Sequence, residues 1–193
     1  GDFLTPYAPQ EVNNHFTEAN AYQYSFSPVQ DIEGWMEVLT NFRASREGWN
    51  SLSPKKQVGV VKSGQDVLEE LLDELFNASS QTTGREQADI TGLIGQYAHG
   101  NEPSHHIAYL YNTTNNPSKT SYWVNKILDT QYHNAPDGLS GNEDCGQMSA
   151  WYIMASIGLY PLVPGQPHYQ LSTPKWEEIQ LGLANGKTLE IHS

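Results

Sequence analysis

Cysteine is almost absent from this sequence, since Cys145 is the only one among 193 residues. A single thiol excludes a disulfide framework and a four-cysteine zinc site within the chain. Basic residues are also few: 10 Lys and Arg stand against 22 Asp and Glu, and the formal net charge is −12. We therefore expect neither a nucleic-acid partner, whose phosphates need cationic side chains, nor a polybasic membrane-surface module. No apolar run approaches the roughly 20 residues that span a bilayer, so we expect no membrane span.

Polar uncharged residues and aromatic residues take the place of the missing charges. Charged residues make up 17% of the chain, against roughly 25% in typical soluble domains, while Asn, Gln and aromatic residues number 14, 13 and 21. Such a composition suits sugar binding, although many extracellular proteins share it. The length suits one domain, or one domain with a piece of a second. The sequence opens at Gly1 without a Met or a signal peptide, so we expect a processed or trimmed piece.

Helical periodicity is clear in two places. Apolar residues from Ile32 to Leu39 recur at the helical spacing, and we expect this helix to reach about Trp49. The stretch Ser63-Gly-Gln-Asp66 is a capping-box pattern at the start of a second helix. One apolar stripe follows it, formed by Val67, Leu68, Leu71, Leu72, Leu75 and Phe76.

Four further helical segments are predicted. They cover residues 88–98, 104–111, about 120–133 and about 147–157. The last of these is apolar nearly all round, which indicates a helix in the interior of the molecule.

The pattern changes to strand-like alternation near the C-terminus. Ile179 and Leu181 alternate with polar residues before Asn185-Gly186, and Leu189 and Ile191 alternate after it. An Asn-Gly pair predicts a type I′ hairpin turn, and a lone hairpin needs a partner that covers it. The sequence therefore indicates the end of an all-α domain followed by the start of a β partner.

Three polar clusters interrupt the helical pattern, and the first surrounds Glu18. This residue is the single acid between Thr17 and Tyr24, and no Lys or Arg lies between residues 8 and 28. Desolvation beside aromatic rings favours the uncharged form of a carboxyl group, which a general acid at neutral pH requires. The alternative is an ordinary exposed glutamate on a loop.

The second cluster runs from His99 to His106 and contains Asn101 and Glu102 on a turn. Adjacent Asn and Glu oxygens suit a hard cation such as calcium. The neighbouring His105 and His106 invite a zinc interpretation, but consecutive helical residues point roughly 100° apart and no HExxH motif is present. Hydrogen bonding to a substrate, or a satisfied place in the core, fits both histidines better.

The third cluster, residues 137–147, combines acids and glycines directly before the predicted buried helix. A helix N-terminus stabilises negative charge, so we expect Asp144 to be ionised and able to activate water. The alternative is an ordinary N-cap, a role that Asp144 could combine with catalysis. Two separated carboxyl groups, one protonated and one ionised, are the minimum for glycoside hydrolysis.

These clusters fall in three long segments that resemble a known family. The segments are Glu18-Ala-Asn-Ala-Tyr-Gln-Tyr24, the stretch from Gly84 to His106 that includes Gly-Asn-Glu-Pro-Ser-His-His, and Gly141-Asn-Glu-Asp-Cys-Gly-Gln-Met-Ser-Ala-Trp-Tyr152. With Gly158-Leu-Tyr-Pro161 they cover the chain, in family order, from about residue 15 to its end. The sequence therefore resembles glycoside hydrolase family 92, the calcium-dependent exo-acting α-mannosidases. It departs from the family at Ala19, where Gly is usual, and at Asn142, where many members carry Asp.

The resemblance implies a mainly α fold: part of an (α/α)6 barrel, with a short C-terminal β-hairpin that belongs to a β-sandwich. We expect residues 1–165 to form the partial catalytic barrel and residues 166–193 to return toward the sandwich domain. The implied partners are a mannose-containing glycan as substrate and the remainder of a longer enzyme, namely an N-terminal β-sandwich and the early barrel helices. Such an enzyme is expected to be secreted, and to be extracellular or periplasmic.

The resemblance also implies roles for individual residues. Glu18 matches the general acid, and Asp144 matches the base that activates water for a single displacement with inversion. The implied cofactor is Ca2+, with Asn101 and Glu102 as ligands and a backbone carbonyl near Gln87 as the third. The implied substrate-binding residues are Arg85, Glu86, His99 and Asn142.

Two functions from different classes follow from the sequence. The first is a calcium-dependent, inverting exo-α-mannosidase acting on mannose-rich glycans, of which these residues form only part. The second is a non-catalytic, calcium-dependent carbohydrate-binding or structural fragment of such an enzyme. A monomer with a fully enclosed core would count against a fragment, because half a barrel exposes apolar helix faces such as that of residues 147–157.

Overall fold

The computed structural model of the protein describes residues 8–44 and 63–193. The predicted helix that begins at Ile32 is present, and its expected end near Trp49 lies outside the described residues. The α-helices are α1 (Ala21–Tyr24), α2 (Ile32–Ala44), α3 (Gly64–Asn77), α4 (Ser118–Gln131) and α5 (Gln147–Ser156). Shorter 3-10 helices lie at Val29–Asp31, Glu102–Ser104 and Ile107–Thr113.

The described strands pair two by two and build no larger sheet. The parallel pair is β1 (Glu11–Val12) with β2 (Thr83–Gly84). The antiparallel pairs are β3 (Leu93–Ile94) with β4 (Tyr97–Ala98), β5 (Leu159–Tyr160) with β6 (Gln170–Leu171), and β7 (Glu178–Gly182) with β8 (Thr188–His192). The described chain is thus mainly helical, as predicted, and among its strand pairs only β1–β2 joins segments far apart in sequence.

Helix α3 is the helix that the capping-box pattern predicts. The Ser63 hydroxyl oxygen accepts from the backbone N–H of Asp66, and the Asp66 carboxylate accepts from the backbone N–H of Ser63. The apolar face of α3 packs against α2 and against the 3-10 helix Ile107–Thr113. Leu68 and Leu72 are fully buried there, and burying a leucine side chain contributes roughly 1.5–3 kcal/mol.

Residues 88–98 do not form the helix that the sequence predicts. They form turns and the β3–β4 pair, because Gly92 and Gly95 take positive φ angles of 63° and 61°, outside the right-handed helical region. Gly95 also lies against the end of α3, where an added Cβ atom would sit 2.3 Å from the carbonyl oxygen of Leu75. The predicted segment 104–111 is largely helical, but as the tighter 3-10 form.

One core, rich in aromatic rings, joins these elements. Trp123 of α4 stacks on Phe76 of α3 with ring centroids 4.3 Å apart, and Tyr109 stacks on Tyr160 at 4.2 Å. Trp151 of α5 belongs to the same cluster. Within the described residues, every helix is too short or too polar to cross a bilayer.

Helix α5 is less enclosed than its composition predicts. Met148 and Trp151 face the core at 1% and 2% exposure, but Ile153 is 58% exposed. Within the described chain, only one face of the helix has the interior position that the sequence indicates, and the other face is exposed, as expected for part of a barrel. The reason is that α4 and β5 cover α5 on one side and leave an apolar strip of the helix open to solvent.

Strands β7 and β8 form an antiparallel hairpin, but its turn is not the predicted type I′ turn. The Leu183 N–H donates to the Lys187 carbonyl at 2.8 Å, so three residues lie in the loop. A type I′ turn needs two residues with positive φ, whereas only Gly186, at 78°, has one here. The Asn185-Gly186 pair therefore occupies the last two positions of a three-residue loop.

Candidate functional site

The loop between β1 and α1 carries Glu18, which is half-buried. Arg85 follows β2, and its guanidinium reaches across to this loop. It donates to the carbonyl oxygens of Thr17 at 2.7 Å and Phe16 at 3.3 Å, with a longer contact to the carbonyl of Asn13 at 3.4 Å. A charged side chain with several donors thus holds the backbone directly before Glu18.

A buried amide network holds the chain directly after Glu18. Asn20 caps α1: its side chain accepts from the Gln23 N–H, and the Gln23 side chain accepts from the Asn20 N–H at 3.0 Å. Asn20 also donates to the Gln96 side-chain oxygen at 2.8 Å, and Gln96 donates to the carbonyl of Gln81 at 3.0 Å. Buried amides with satisfied hydrogen bonds favour one conformation, so this network anchors the loop that carries Glu18.

The second cluster meets this loop directly. Asn101 is 6% exposed, and its Nδ2 donates to the backbone oxygen of Glu18 at 3.3 Å. Glu102, the next residue, begins a 3-10 turn and is half-buried. Close by, Gly100 and Gly141 approach so tightly that a Cβ atom on Gly141 would lie 2.5 Å from the Gly100 carbonyl oxygen. Only glycine permits this approach, which brings the third cluster against the second.

The third cluster forms a strained turn at the start of α5. Asp144, Cys145 and Gly146 have φ angles of 48°, 58° and 98° in succession. Non-glycine residues in this left-handed region cost of order 1–3 kcal/mol each and cluster at functional sites. The capping role expected of Asp144 falls to Glu143, whose carboxylate accepts from the N–H and the hydroxyl of Ser149 at 3.1 and 3.0 Å. Asp144 itself is exposed.

Glu102 has two carboxyl groups from other loops, those of Asp144 and Glu18, as electrostatic neighbours. The pKa of Glu102 is raised, first because burial disfavours its charged form. A hydrogen bond to the Asp144 carboxyl group, the charge of Asp144 and the charge of Glu18 raise it further, while a backbone hydrogen bond opposes them. Such influences weaken with distance, so Glu18 and Asp144, far apart in sequence, share Glu102 as a neighbour.

Two histidines of the second cluster, His99 and His105, lie in the core, and His106 is half-buried. Burial lowers the pKa of His99 and His106, and lowers that of His105 to about 4, so all three are neutral near pH 7. The ring of His99 is fully buried, with Nδ1 at 2.8 Å from the Tyr97 hydroxyl and Nε2 at 2.6 Å from the Tyr132 hydroxyl. Both ring nitrogens of His99 therefore bind neighbouring tyrosines of the protein and are not left open for a substrate.

The other residues that the resemblance assigns to the substrate differ from one another. Glu86 and Asn142 are exposed, Asn142 on the loop of Asp144. Arg85 points its guanidinium at the protein, where the Gln87 side-chain oxygen is a further acceptor at 2.8 Å. The structure therefore uses Arg85 as a clamp on neighbouring backbone.

The second cluster and the segment before it carry oxygen atoms of the kind that bind calcium. Asn101, Glu102 and the Gln87 carbonyl offer the hard oxygen atoms that calcium prefers. The Gln87 carbonyl accepts from the Ile90 N–H at 3.2 Å and keeps a second lone pair. Among the described residues, no three His, Cys, Asp or Glu side chains gather as a metal site. A cation here would rely on neutral oxygens too, and it would offset the neighbouring carboxylate charges, which after burial contribute to the raised pKa of Glu102.

A helical scaffold that gathers carboxylates on adjoining loops is an arrangement suited to glycoside hydrolysis. The sequence profile described as the glycosyl hydrolase family 92 catalytic domain matches residues 1–193, and the chain belongs to this family. The resemblance drawn from the three sequence segments is therefore confirmed.

Solved structures of the same family share the fold. The family GH92 alpha-mannosidase BT3965 from Bacteroides thetaiotaomicron matches with a TM-score of 0.72 and 36% identity over 99% of this chain and 21% of that chain. The family GH92 inverting mannosidase BT2199 from Bacteroides thetaiotaomicron VPI-5482 matches with a TM-score of 0.71 and 27% identity over 100% of this chain and 24% of that chain. This chain thus spans about a fifth to a quarter of the length of those structures.

A curated relative also matches in part. It is an uncharacterized secreted glycosidase from Arthroderma benhamiae, 28% identical over 95 residues, which are 49% of this chain and 12% of that protein. The chain therefore spans only a small share of this relative as well.

Sequence reasoning found the carboxylates but missed the groups that hold them. Gln96 anchors Asn20 across 76 positions of sequence, and an isolated glutamine carries no signal of such a contact. Glu143 carries no capping signal in the sequence, because its carboxylate accepts from Ser149, six residues along the chain. The close approach at Gly141 had one usable signal, the glycine itself.

Proposed function

We propose that the chain is part of the catalytic domain of a calcium-dependent, inverting exo-α-mannosidase that releases mannose from mannose-rich glycans. The observation that carries this proposal is that the second cluster meets the loop of Glu18 through Asn101, and that Asp144 and Glu18 are both electrostatic neighbours of Glu102. Membership of family 92 and similarity to two mannosidase structures support the substrate class.

The proposal extends to the whole protein. Because the chain spans about a fifth of the BT3965 mannosidase structure, we propose that residues 1–165 belong to an (α/α)6 barrel and that residues 166–193 lead toward a β-sandwich. The exposed apolar strip of α5 fits a barrel whose other helices come from elsewhere in the protein. Similarity to a secreted glycosidase supports an extracellular or periplasmic location.

In the proposed mechanism Glu18 is the general acid. Its proton passes to the glycosidic oxygen while the bond from that oxygen to the anomeric carbon breaks, and the remaining glycan leaves as a neutral alcohol. Asp144 takes a proton from water, whose oxygen forms the new bond to the anomeric carbon from the opposite face. This single displacement requires roughly 6.5–9.5 Å between the two carboxyl groups, so that water fits between them. Proton exchange with solvent then returns Glu18 to its protonated form and Asp144 to its ionised form.

The surroundings of Asp144 suit a base. Glu143 satisfies the start of α5, so the Asp144 carboxylate is not needed as a cap. The left-handed backbone at Asp144 and Cys145 is held in a costly conformation, which is frequent where a side chain must keep one direction for its function.

Asn101, Glu102 and the Gln87 carbonyl are the proposed holders of calcium, which would supply a template that orients the sugar hydroxyls. Asn101 also binds the backbone of Glu18, so one side chain serves both the cation and the acid loop. Glu86 and Asn142 are the exposed candidates for contacts with the sugar. His99 is proposed to support the site indirectly, by holding the side chains of Tyr97 and Tyr132 in place.

Proton NMR of α-linked mannobiose with the full-length gene product tests this proposal. We expect β-mannose as the first anomer released, loss of release with a chelator, and recovery when calcium is restored. α-Mannose as the first product would contradict inversion, and full activity in chelator would contradict calcium dependence. Mannobiose binding without any release would favour the non-catalytic carbohydrate-binding alternative.

A further inference from the structure

We propose that Arg85 is a positioning residue, which holds the loop of the general acid and ties that loop to the segment of Gln87. The inference rests on the proposed function, because it assigns a role within the same site. It differs from the role that the family resemblance implies for Arg85, namely direct binding of the substrate.

All three nitrogens of the Arg85 guanidinium have protein acceptors. Nη2 donates to the carbonyls of Thr17 and Phe16, Nη1 donates to the side-chain oxygen of Gln87 at 2.8 Å, and Nε reaches the carbonyl of Asn13. None of the ion pairs among the described residues includes Arg85. A guanidinium that makes four contacts to neutral oxygens of the protein acts as a rigid bridge between segments.

This bridge ends one residue before the acid. Thr17 accepts the shortest of the contacts to the loop, at 2.7 Å, and Asn101 binds the Glu18 carbonyl at 3.3 Å. The backbone of Glu18 is therefore held on both sides by side chains from the second cluster and its flank. Removal of the guanidinium frees one of these two sides.

The β1–β2 strand pair, which directly precedes Arg85, does not depend on the Arg85 side chain. The backbone N–H of Arg85 donates to the Val12 carbonyl at 2.9 Å, and β1 pairs with β2 through backbone groups. The Arg85 side chain is also exposed rather than part of the core. Substitution of Arg85 should therefore loosen the acid loop and leave the fold in place.

A comparison of two leaving groups in the full-length gene product separates positioning from general structural support. The second mannose unit of mannobiose needs a proton from Glu18 in order to leave. Dinitrophenolate is a stable anion and leaves from dinitrophenyl α-mannoside without protonation. We expect Arg85→Ala and Arg85→Lys to lose about ten- to hundredfold in kcat on mannobiose, and less than about threefold on dinitrophenyl α-mannoside. Lysine should fail as well because it keeps the charge but lacks the planar set of donors.

Hydrogen exchange supplies a readout that needs no activity. We expect faster amide exchange in residues 13–20 of both Arg85 variants, at a nearly unchanged unfolding temperature. Lys175→Ala is the matched control, because it removes a cation that pairs with Asp129 outside this loop, and it should alter neither kinetics nor this exchange. Equal kcat losses on both substrates, or unchanged exchange in residues 13–20, would overturn the inference. A wild-type protein that hydrolyses neither mannoside would contradict the proposed function alone, since the exchange result still decides the role of Arg85.

Discussion

Asp144 stands in a backbone conformation that residues other than glycine rarely adopt, and Cys145 follows it there. Glu143 beside them is held by Ser149 at the start of α5. Two adjacent acids therefore have different surroundings: one is bound to a helix start and the other is presented on a strained turn. Residue types in sequence showed that acids were present, but only these surroundings distinguish the roles of Glu143 and Asp144.

Glu18→Gln tests the acid most directly. The amide keeps the size of the side chain but has no acidic proton to give, so we expect kcat on mannobiose to fall by about 10²–10⁴-fold with mannose binding largely retained. Asp144→Asn should show a similar loss. Glu143→Gln is the neighbouring control, because its amide oxygen still accepts from Ser149, and its kcat should stay near the wild-type value. Full activity of Glu18→Gln would remove this residue from the mechanism.

The buried His105 predicts how stability changes with pH. Its pKa is lowered from 6.5 to about 4 chiefly by burial, so between these values the unfolded chain binds a proton that the folded chain does not. The stability contribution is complete above about pH 6.5 and falls by about 3 kcal/mol as the pH drops to about 4. Urea unfolding across this range measures the loss.

A His105→Gln variant isolates this contribution. Glutamine can donate to the His99 carbonyl or accept from Gln147, as His105 does, but it does not titrate. We expect a shallower fall in stability between about pH 6.5 and 4 in the variant. The same slope in variant and wild type would mean that other groups cause the acid sensitivity.

At the scale of elements, local signals succeeded where neighbours in sequence make the contacts. The capping box at Ser63 and the apolar stripe that follows it form helix α3 as predicted. The segment 88–98 has apolar residues at a suggestive spacing, yet it folds as turns and a strand pair. There the Gln96 N–H donates to the Leu75 carbonyl at 2.8 Å, so the turn at Gly95 satisfies the C-terminal end of α3. This tertiary contact overrides the local periodicity.

Gly95→Ala and Gly165→Ala separate backbone strain from a steric clash. Both glycines have positive φ, 61° and 86°, but a Cβ atom at Gly95 would meet the Leu75 carbonyl oxygen at 2.3 Å, whereas Gly165 has no atom within 4 Å. We expect Gly165→Ala to lower the free energy of unfolding by about 1–2 kcal/mol and Gly95→Ala by about 2–5 kcal/mol. Urea denaturation measures both, and equal losses would contradict the close approach at Gly95.

At the scale of the whole molecule, the described residues share one aromatic core but leave part of their apolar surface exposed. Ile153 is 58% exposed and Trp176 is 51% exposed, and the chain spans about a fifth of the BT3965 mannosidase structure. These observations support the proposal that further barrel helices and a sandwich domain cover such positions in a longer enzyme.

Calcium binding should stabilise the whole fold, because the proposed ligands come together only in the folded chain. At a calcium concentration 100 times the Kd, the free energy of unfolding should rise by about 2.7 kcal/mol. Thermal unfolding with calcium and with a chelator measures the rise, and Mg2+ is the control ion because it demands a tighter geometry. Asn101→Ala and Glu102→Gln should abolish the calcium-dependent rise. An undiminished rise in both variants would place the cation elsewhere.

The sequence by itself determined the family, the mainly helical class and the identity of the candidate acid, base and cation ligands. These features depend on contiguous motifs and on periodicity, which are readable without a fold. Tertiary structure alone decided that Asp144 and Glu18 are electrostatic neighbours of Glu102 and that Arg85 binds the loop of Glu18 across 68 positions of sequence. Contacts between segments so far apart cannot be predicted from periodicity, because the sequence pattern around each residue reflects only its local structure.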